Sequence, residues 1–309
     1  MSVVNTSSTS DITQDGALAG AAEPGATRAP GRRPWWHTLF RQKLALMGAS
    51  IVGFFALVAL FGPLFAPFGP TEQFSQLRLT GPSQNNPFGS DEFGRDILTR
   101  LLYGARISFQ VGVIAVGISA AIGVVLGLVA GYFGGWIDNI VSLLMDVLFA
   151  FPTILLAIAL MAMLGNSLGN VMIAIGLVNA PTFMRVVRGS VLSVRQMTYI
   201  ESAVSVGAST GTILRRHVFP NITAPLIVHA SLNFATAVLA EASLAYLGLG
   251  NKPPSPSWGS MVSSSYGFLQ LAPWAAIAPG LAIGITVLGF NLLGDGLRDA
   301  LDPRLRNLS

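Results

Sequence analysis

Charged side chains are scarce in this chain of 309 residues, since only 10% of them are Asp, Glu, Lys or Arg. A soluble domain usually carries about 25% of charged residues. So few charges cannot cover a surface that faces water on all sides, and 52% of the residues are hydrophobic. Cysteine is absent, which excludes disulfide bonds and thiolate metal sites. The composition therefore indicates an integral membrane protein.

Residues that carry common chemistry are also few. The two lysines, Lys43 and Lys252, lie outside any G-x-x-x-x-G-K-[ST] pattern, so no phosphate-binding loop is predicted. The three histidines, His37, His217 and His229, lack the spacing of metal ligands, and we predict no nucleophile elbow. These absences argue against an enzyme, and we expect neither a metal site nor a bound cofactor.

Six hydrophobic stretches are long enough to cross a membrane core, which takes about 20 helical residues. Residues 1–34 are instead rich in Ser, Thr, Gly, Ala and Pro, and predict a disordered tail rather than a secretory signal. The predicted fold is an all-α integral membrane protein with six transmembrane helices, of which the fourth is the shortest. The predicted spans are 44–66, 108–132, 140–164 (with Pro152), 171–187 (with Pro181), 224–248 and 274–293.

These spans divide the chain into four parts. The tail 1–34 is followed by a segment 35–106, which holds the first helix and an outer loop. A core of five helices then covers 107–297, and 298–309 forms the C-terminal segment. Thirteen of the 18 Lys and Arg residues precede the first span, lie from Arg185 at the end of the fourth span to the start of the fifth, or follow the sixth. The positive-inside rule makes that side cytoplasmic, with both termini on it.

Small and charged residues predict two local contacts. The second span contains Gly123, Gly127 and Gly131 at four-residue intervals, a spacing that lets two helix backbones approach closely in lipid. We interpret this as packing within the bundle rather than as a pore feature. Before that span, Asp96 and Arg100 are one helical turn apart and predict an ion pair.

The loop between the fourth and fifth spans is basic and amphipathic. Its apolar residues have helical spacing over 193–206, Gly207 then interrupts, and 208–219 predict a second short helix that Pro220 stops. These two helices would form a knob on the cytoplasmic side. Contiguous exposed apolar surface usually marks an interface, so the knob predicts a partner. The alternative is a loop lying on the membrane, with Glu201 solvated.

The same loop resembles the EAA loop of binding-protein-dependent ABC importer permeases, through Glu201-Ser202-Ala203, Gly207 and Pro220. Ser202 departs from the pattern, since alanine is usual there. Residues 86–96, 240–250 and 291–303 resemble signatures of the dipeptide/oligopeptide (and nickel) branch of that family. The resemblance covers residues 35–307 and fits the C-type member of a permease pair.

This resemblance implies a type I ABC importer permease fold and a permease subunit that imports short peptides across the bacterial inner membrane. It implies a second permease subunit, two ATP-binding subunits that hold the ATP, an extracytoplasmic solute-binding protein and surrounding lipid as partners, without nucleic acid. Nickel chelates and glutathione stay open as solutes. The residues implied in coupling to the ATP-binding subunits are Glu201, Ser202, Ala203, Gly207, His217 and Pro220.

Four polar residues inside the spans are candidates for the solute pathway: Asp146, Glu241, Asn233 and His229. Polar groups at membrane depth are costly, so they face the bundle interior or water. They either line the pathway or make buried structural contacts. An ion-gradient-driven secondary transporter, with Asp146 or Glu241 as its coupling carboxylate, is the alternative function, although we find no internal repeat of the kind that such transporters show.

Overall fold

The structure is a computed structural model that describes residues 42–251 and 254–301. The tail predicted at 1–34 lies outside the described residues, as do Lys252 and residues 302–309. The described part is helical and contains no β-strand. Its helices are α1 Lys43–Phe65, α2 Ile97–Phe133, α3 Gly135–Phe149, α4 Thr153–Leu164, α5 Leu168–Arg195, α6 Thr198–Ser205, α7 Thr210–Ile213, α8 Phe219–Tyr246, α9 Trp258–Ser265 and α10 Pro273–Leu301.

Five long helices are apolar enough to cross a membrane, and the bent pair α3–α4 makes a sixth span when it is counted as one. In this count α7 and α8 belong to one helix of 37 residues, Thr210–Tyr246. The predicted all-helical membrane fold is thereby confirmed. The end of α10 lies beside the start of α1, with Gln42 Nε2 3.4 Å from Asp299 Oδ2. The side that faces the cytoplasm stays a prediction.

The third span differs from the single helix predicted over 140–164. Helix α3 ends at Phe149, α4 begins at Thr153, and the two axes meet at 91°. Pro152 explains the break, because it lacks the N–H that would bond to the carbonyl of Leu148 and because it disfavours helical geometry at the preceding residue. Helix α4 has 12 residues and is about 18 Å long, which is shorter than the hydrocarbon core.

The fourth span was predicted to be the shortest, and this is wrong. Helix α5 has 28 residues, continues through Pro181, and is the most buried of the five long spans. Its polar and charged side chains lower the hydropathy of its ends, which hid their helical character in the sequence. Because α5 faces other helices more than lipid, it needs less apolar surface than the outer spans.

Helices α2 and α5 form the most extensive contact in the bundle. The glycines of α2 allow this approach: a Cβ atom on Gly127 would lie 2.6 Å from Val187 Cβ, and one on Gly131 would lie 2.8 Å from Val191 Cβ. A Cβ atom on Gly123 would likewise collide with Phe183 and Met184 of α5. The interpretation of these glycines as packing residues is therefore confirmed.

A buried charge cluster holds the segment before α2. Arg95 Nε lies 2.6 Å from Asp91 Oδ2, and Arg100 Nε lies 3.5 Å from the same oxygen. The predicted ion pair between Asp96 and Arg100 is wrong. Asp96 instead caps α2, since its carboxylate accepts a hydrogen bond of 2.7 Å from the backbone N–H of Thr99. This leaves Arg100 free to turn towards Asp91.

Glu92 completes this cluster. Its Oε1 lies 3.3 Å from Arg95 Nη2, while its buried Oε2 has no hydrogen-bond partner in the described part of the chain. Burial raises the pKa of Glu92 above its ordinary 4.5, and the neighbouring Asp91 carboxylate adds to the effect. The charge on Glu92 therefore opposes folding at neutral pH, although Arg95 partly offsets that cost.

Candidate functional site

The knob predicted between the fourth and fifth spans is present as two short helices joined at Gly207, and we call residues 198–218 the α6–α7 hairpin. The first helix begins at Thr198 rather than at residue 193, because α5 continues to Arg195 and Met197 is extended. Two hydrogen bonds close the end of α6, from Gly207 N–H to Val204 O and from Ala208 N–H to Ala203 O. This pair of bonds is a Schellman motif.

Gly207 occupies the position of that motif which requires a left-handed backbone. Its φ is +78°, which residues with a side chain rarely adopt. No other atom lies within 4 Å of the place where its Cβ would be. Glycine is therefore required at this position because of its backbone conformation and not because a side chain would collide with neighbouring atoms.

The second half of the hairpin does not stop at Pro220, contrary to the prediction. Ser209 caps α7, and a π-helical turn over Leu214–Val218 then leads directly into α8, with Pro220 in its first turn. Proline is tolerated in the first turn of a helix, where the N–H groups lack partners. In the π-helical turn before it, the Phe219 N–H bonds to the Leu214 carbonyl, five residues back, instead of four as in an α-helix. The hairpin is thus continuous with the span α8.

An apolar core fixes the hairpin to the bundle. Ile200 of α6, Ile213 of α7 and Val218 of the π-helical turn are buried against Val187 and Val191 of α5. Burial of each such side chain stabilises the folded state by about 1.5–3 kcal/mol. A force on the hairpin would therefore be transmitted to α5 through this core and to α8 through the backbone.

The outer face of the hairpin carries several large apolar side chains. Val206 is 83% exposed and Val204 is 55% exposed. Tyr199 on the same hairpin and Met197, the residue just before it, are also exposed. Basic side chains at its second half are exposed too: Arg215 and Arg216. An apolar patch with a charged rim is typical of a protein interface.

The predicted coupling residues occupy different environments. Glu201 and Ser202 are exposed, and the Ser202 hydroxyl donates to the Thr198 carbonyl. Ala203 is half-buried and supplies a carbonyl to the Schellman motif, as described above. The Glu201 carboxylate forms no hydrogen bond or ion pair within residues 42–251 and 254–301, so it does not cap the turn. His217 is half-buried, with its ring 6.2 Å from that of Tyr199.

Two of the predicted pathway residues meet at a threonine that the sequence did not single out. His229 Nε2 lies 3.2 Å from Thr182 Oγ1, and Asn233 Nδ2 lies 3.3 Å from the same atom. The Thr182 hydroxyl donates to the Asn179 carbonyl at 2.7 Å. The structure thus brings polar groups of α8 and α5 together inside the bundle. A lone threonine in an apolar span gives no sequence signal for this.

Glu241 lies apart from that group. It is 1% exposed, and the Ser108 hydroxyl of α2 donates to its Oε2 at 3.4 Å. Its Oε1 has no partner in the described part of the chain. Such burial suits a contact between helices better than a surface that a solute would touch.

Asp146 is placed differently again. It lies on α3, is more than half exposed, and forms an ion pair with Arg185 of α5 at 2.7 Å. A second pair joins the same helices, since Arg188 Nη2 donates to Asp138 Oδ2 at 2.6 Å. Together the two pairs hold α3 against α5 before the break in the third span. No partner of Asp146 was predicted, because Arg185 is 39 residues away in the chain.

Comparison with known protein families gives two matches. The description of the first is "binding-protein-dependent transport system inner membrane component", and it matches residues 123–307. The second is the "N-terminal TM domain of oligopeptide transport permease C", which matches residues 33–82. The two matches together extend over most of the chain outside the predicted tail.

Curated proteins and one solved structure are also similar. The dipeptide transport system permease protein of Alkalihalophilus pseudofirmus is 49% identical over 276 residues, which are 88% of this chain and 91% of that protein. The glutathione transport system permease protein of Escherichia coli is 47% identical over 279 residues, or 89% and 92% of the two chains. A chain of a methionine ABC transporter in an inward facing conformation is similar with a TM-score of 0.55 at 19% identity. The match covers 66% of this chain and 97% of that chain. At that identity the likeness shows the fold alone.

Proposed function

The chain belongs to the binding-protein-dependent inner membrane components and is a permease of an ABC importer, and on this premise we propose that it imports short peptides. The family also makes it a multi-pass protein of the bacterial inner membrane. One observation carries the choice of solute. The relatives named above are a dipeptide permease and a glutathione permease, each nearly half identical to this chain over about nine-tenths of it. A dipeptide and glutathione, a tripeptide, share the chemistry of short peptides.

The α6–α7 hairpin is the proposed contact with an ATP-binding subunit. Its exposed apolar residues Val204 and Val206 need a cover, and they lie on a helical protrusion whose inner side packs against α5. Basic residues elsewhere in the chain predict that this side of the bundle is cytoplasmic, where ATP is available. Glu201 is free to pair with a basic residue of that subunit.

Proposed partners complete the importer. A second permease subunit would form the pathway together with this chain, two ATP-binding subunits would supply the energy, and a solute-binding protein outside the membrane would deliver the peptide. The chain itself performs no covalent chemistry in this scheme, and binds no ATP or other cofactor. ATP binding would close the two subunits, displace the hairpins and favour one of two arrangements of packed helices.

Reconstitution in lipid vesicles tests this proposal. The chain is combined with the second permease subunit, the ATP-binding subunits and the binding protein, and uptake of labelled dialanine, glutathione and a nickel–histidine chelate is measured. We expect ATP-dependent uptake of at least one of the two peptides. Uptake of the nickel chelate alone would refute the assignment of the solute. Full uptake without ATP, driven by an ion gradient, would refute the assignment of the energy source.

A further inference from the structure

A cleft of about 300 Å³ opens at the break between α3 and α4. One wall is the break itself, and the other is the middle of α5. The backbone at this break is irregular and lies within a membrane span. Proteins tolerate irregular backbone at membrane depth where it is buried or lines a water-filled cavity. The residues that line the cleft are Leu148, Phe149, Ala150, Phe151, Pro152, Thr153, Val178, Asn179 and Thr182.

The break supplies backbone hydrogen-bonding groups to this cleft. Helix α3 ends at Phe149, and the Ala150 N–H bonds to the carbonyls of Asp146 and Val147. The last two carbonyl groups of the helix, those of Leu148 and Phe149, accept no backbone hydrogen bond among the described residues. Helix α4 begins at Thr153, and its first intrahelical bond runs from Leu156 N–H to Pro152 O. The N–H groups of its first turn have no intrahelical acceptor, and no side chain caps them. The wall therefore offers both acceptors and donors.

The opposite wall adds a primary amide with spare capacity. Asn179 is half-buried, and its side chain forms no hydrogen bond within residues 42–251 and 254–301. Its neighbour Thr182 is fully used, since it donates to the Asn179 carbonyl and accepts from α8. Behind it, Asn233 is 5% exposed and its Oδ1 has no partner among the described residues. The polar network thus engages the backbone carbonyl of Asn179, whereas the side-chain amide beside the cleft has no partner among the described residues.

The chemistry of the lining selects a class of ligand. None of its nine lining residues is ionisable. The nearest charge is the Arg185 guanidinium, which lies over the Phe149 ring at 3.9 Å and is already paired with Asp146. An amide side chain, free carbonyl groups and free N–H groups match a peptide bond, which presents one donor and one acceptor. Phe149 and Phe151 add apolar surface. These groups can bind the main chain of a peptide without selecting for its side chains.

We propose that this cleft is a contact site for the main-chain amide groups of the transported peptide, with Asn179 as its principal side chain. The inference rests on the proposed import of short peptides and specifies where this chain touches them. It also explains why a span of an importer is broken at this place, because an unbroken helix would have no backbone groups to offer. Contact through the main chain suits a transporter that accepts many peptide sequences.

Substitution of Asn179 by leucine tests the site in the reconstituted transporter. Leucine keeps the branched shape of the side chain but removes the amide, so we expect the rate of dialanine or glutathione uptake to fall about two- to tenfold, the effect of one hydrogen bond. ATP hydrolysis stimulated by the binding protein should stay unchanged. Asn291→Leu is the matched control, since it makes the same change at an exposed position of α10 outside the cleft. Unchanged uptake, or an equal loss of uptake and hydrolysis, would overturn the proposal.

A labelling experiment provides an independent test, because the chain has no cysteine of its own. The thiol of an Asn179→Cys variant is expected to react with a small polar thiol reagent and to be protected by saturating dialanine. A Leu57→Cys thiol on the exposed face of α1 should show no such protection. Equal labelling of Asn179→Cys with and without the peptide would refute the site. If the unmodified transporter takes up no peptide, the proposed function fails; if it does and both tests at Asn179 fail, only this inference fails.

Discussion

Replacement of Gly207 by valine should weaken the contact of the hairpin with the ATP-binding subunit while leaving the membrane bundle folded. The φ of +78° costs a residue with a side chain about 1–2 kcal/mol, and more when the side chain is β-branched. If the backbone instead leaves this conformation, the two bonds of the Schellman motif are lost, at about 0.5–1.5 kcal/mol each. Either route disfavours the observed hairpin by at least about 1 kcal/mol, and 1.4 kcal/mol is tenfold in an equilibrium constant.

The assay is co-purification of the ATP-binding subunits with this chain, together with ATP-driven uptake. We expect Gly207→Val to insert in the membrane and to weaken association about tenfold. Gly211→Val is the matched control, because Gly211 also has no atom within 4 Å of its Cβ position but has no left-handed backbone. Gly207→Asn should retain most association, since asparagine tolerates this conformation. Equal losses in Gly207→Val and Gly211→Val would refute the conformational reasoning.

Three further predictions concern the bundle and its outer segment. Gly127→Leu should lower thermal stability strongly by forcing α2 from α5, whereas Gly117→Leu, with no atom within 4 Å, should not; equal melting temperatures would contradict the packing. The pKa of Glu92 is raised in the folded state, so protonation of Glu92 favours folding. This contribution to stability is complete below pH 4.5 and is lost as the pH rises through the folded-state pKa. Glu92→Gln should therefore flatten the pH dependence of melting above pH 4.5, and an unchanged profile would count against burial as the cause. Glu241→Gln should retain uptake, as its amide oxygen can still accept from a serine; lost uptake would return Glu241 to the pathway.

Hydrophobicity was sufficient to predict most of the fold. The first, second, fifth and sixth spans carry enough apolar residues to be recognised one by one, because they face lipid or a partner over much of their length. Helix α5 was underestimated because its burial against other helices removes the need for a continuous apolar surface. The break at Pro152 was missed because proline inside a membrane helix is often tolerated, and hydropathy does not distinguish a kink from a break.

The candidate site was predictable only where local chemistry decides it. Gly207 is recognisable from the sequence, since a glycine between two amphipathic segments predicts a left-handed helix end. The contacts of Asp146, His229 and Asn233 were not, because their partners lie 39 to 51 residues away in the chain. Pro220 was misread because the same residue ends a helix from one side and begins one from the other.

The most direct test of the account is a cross-link between the hairpin and an ATP-binding subunit. A single cysteine is introduced by Val206→Cys, at a position 83% exposed on the hairpin, and by Leu271→Cys, at an exposed position before α10, as the control. We predict that a short thiol-to-amine reagent joins the Val206→Cys chain to an ATP-binding subunit in the assembled transporter and leaves the Leu271→Cys chain unlinked to it. Linkage from Leu271→Cys alone, or equal linkage from both, would contradict the account.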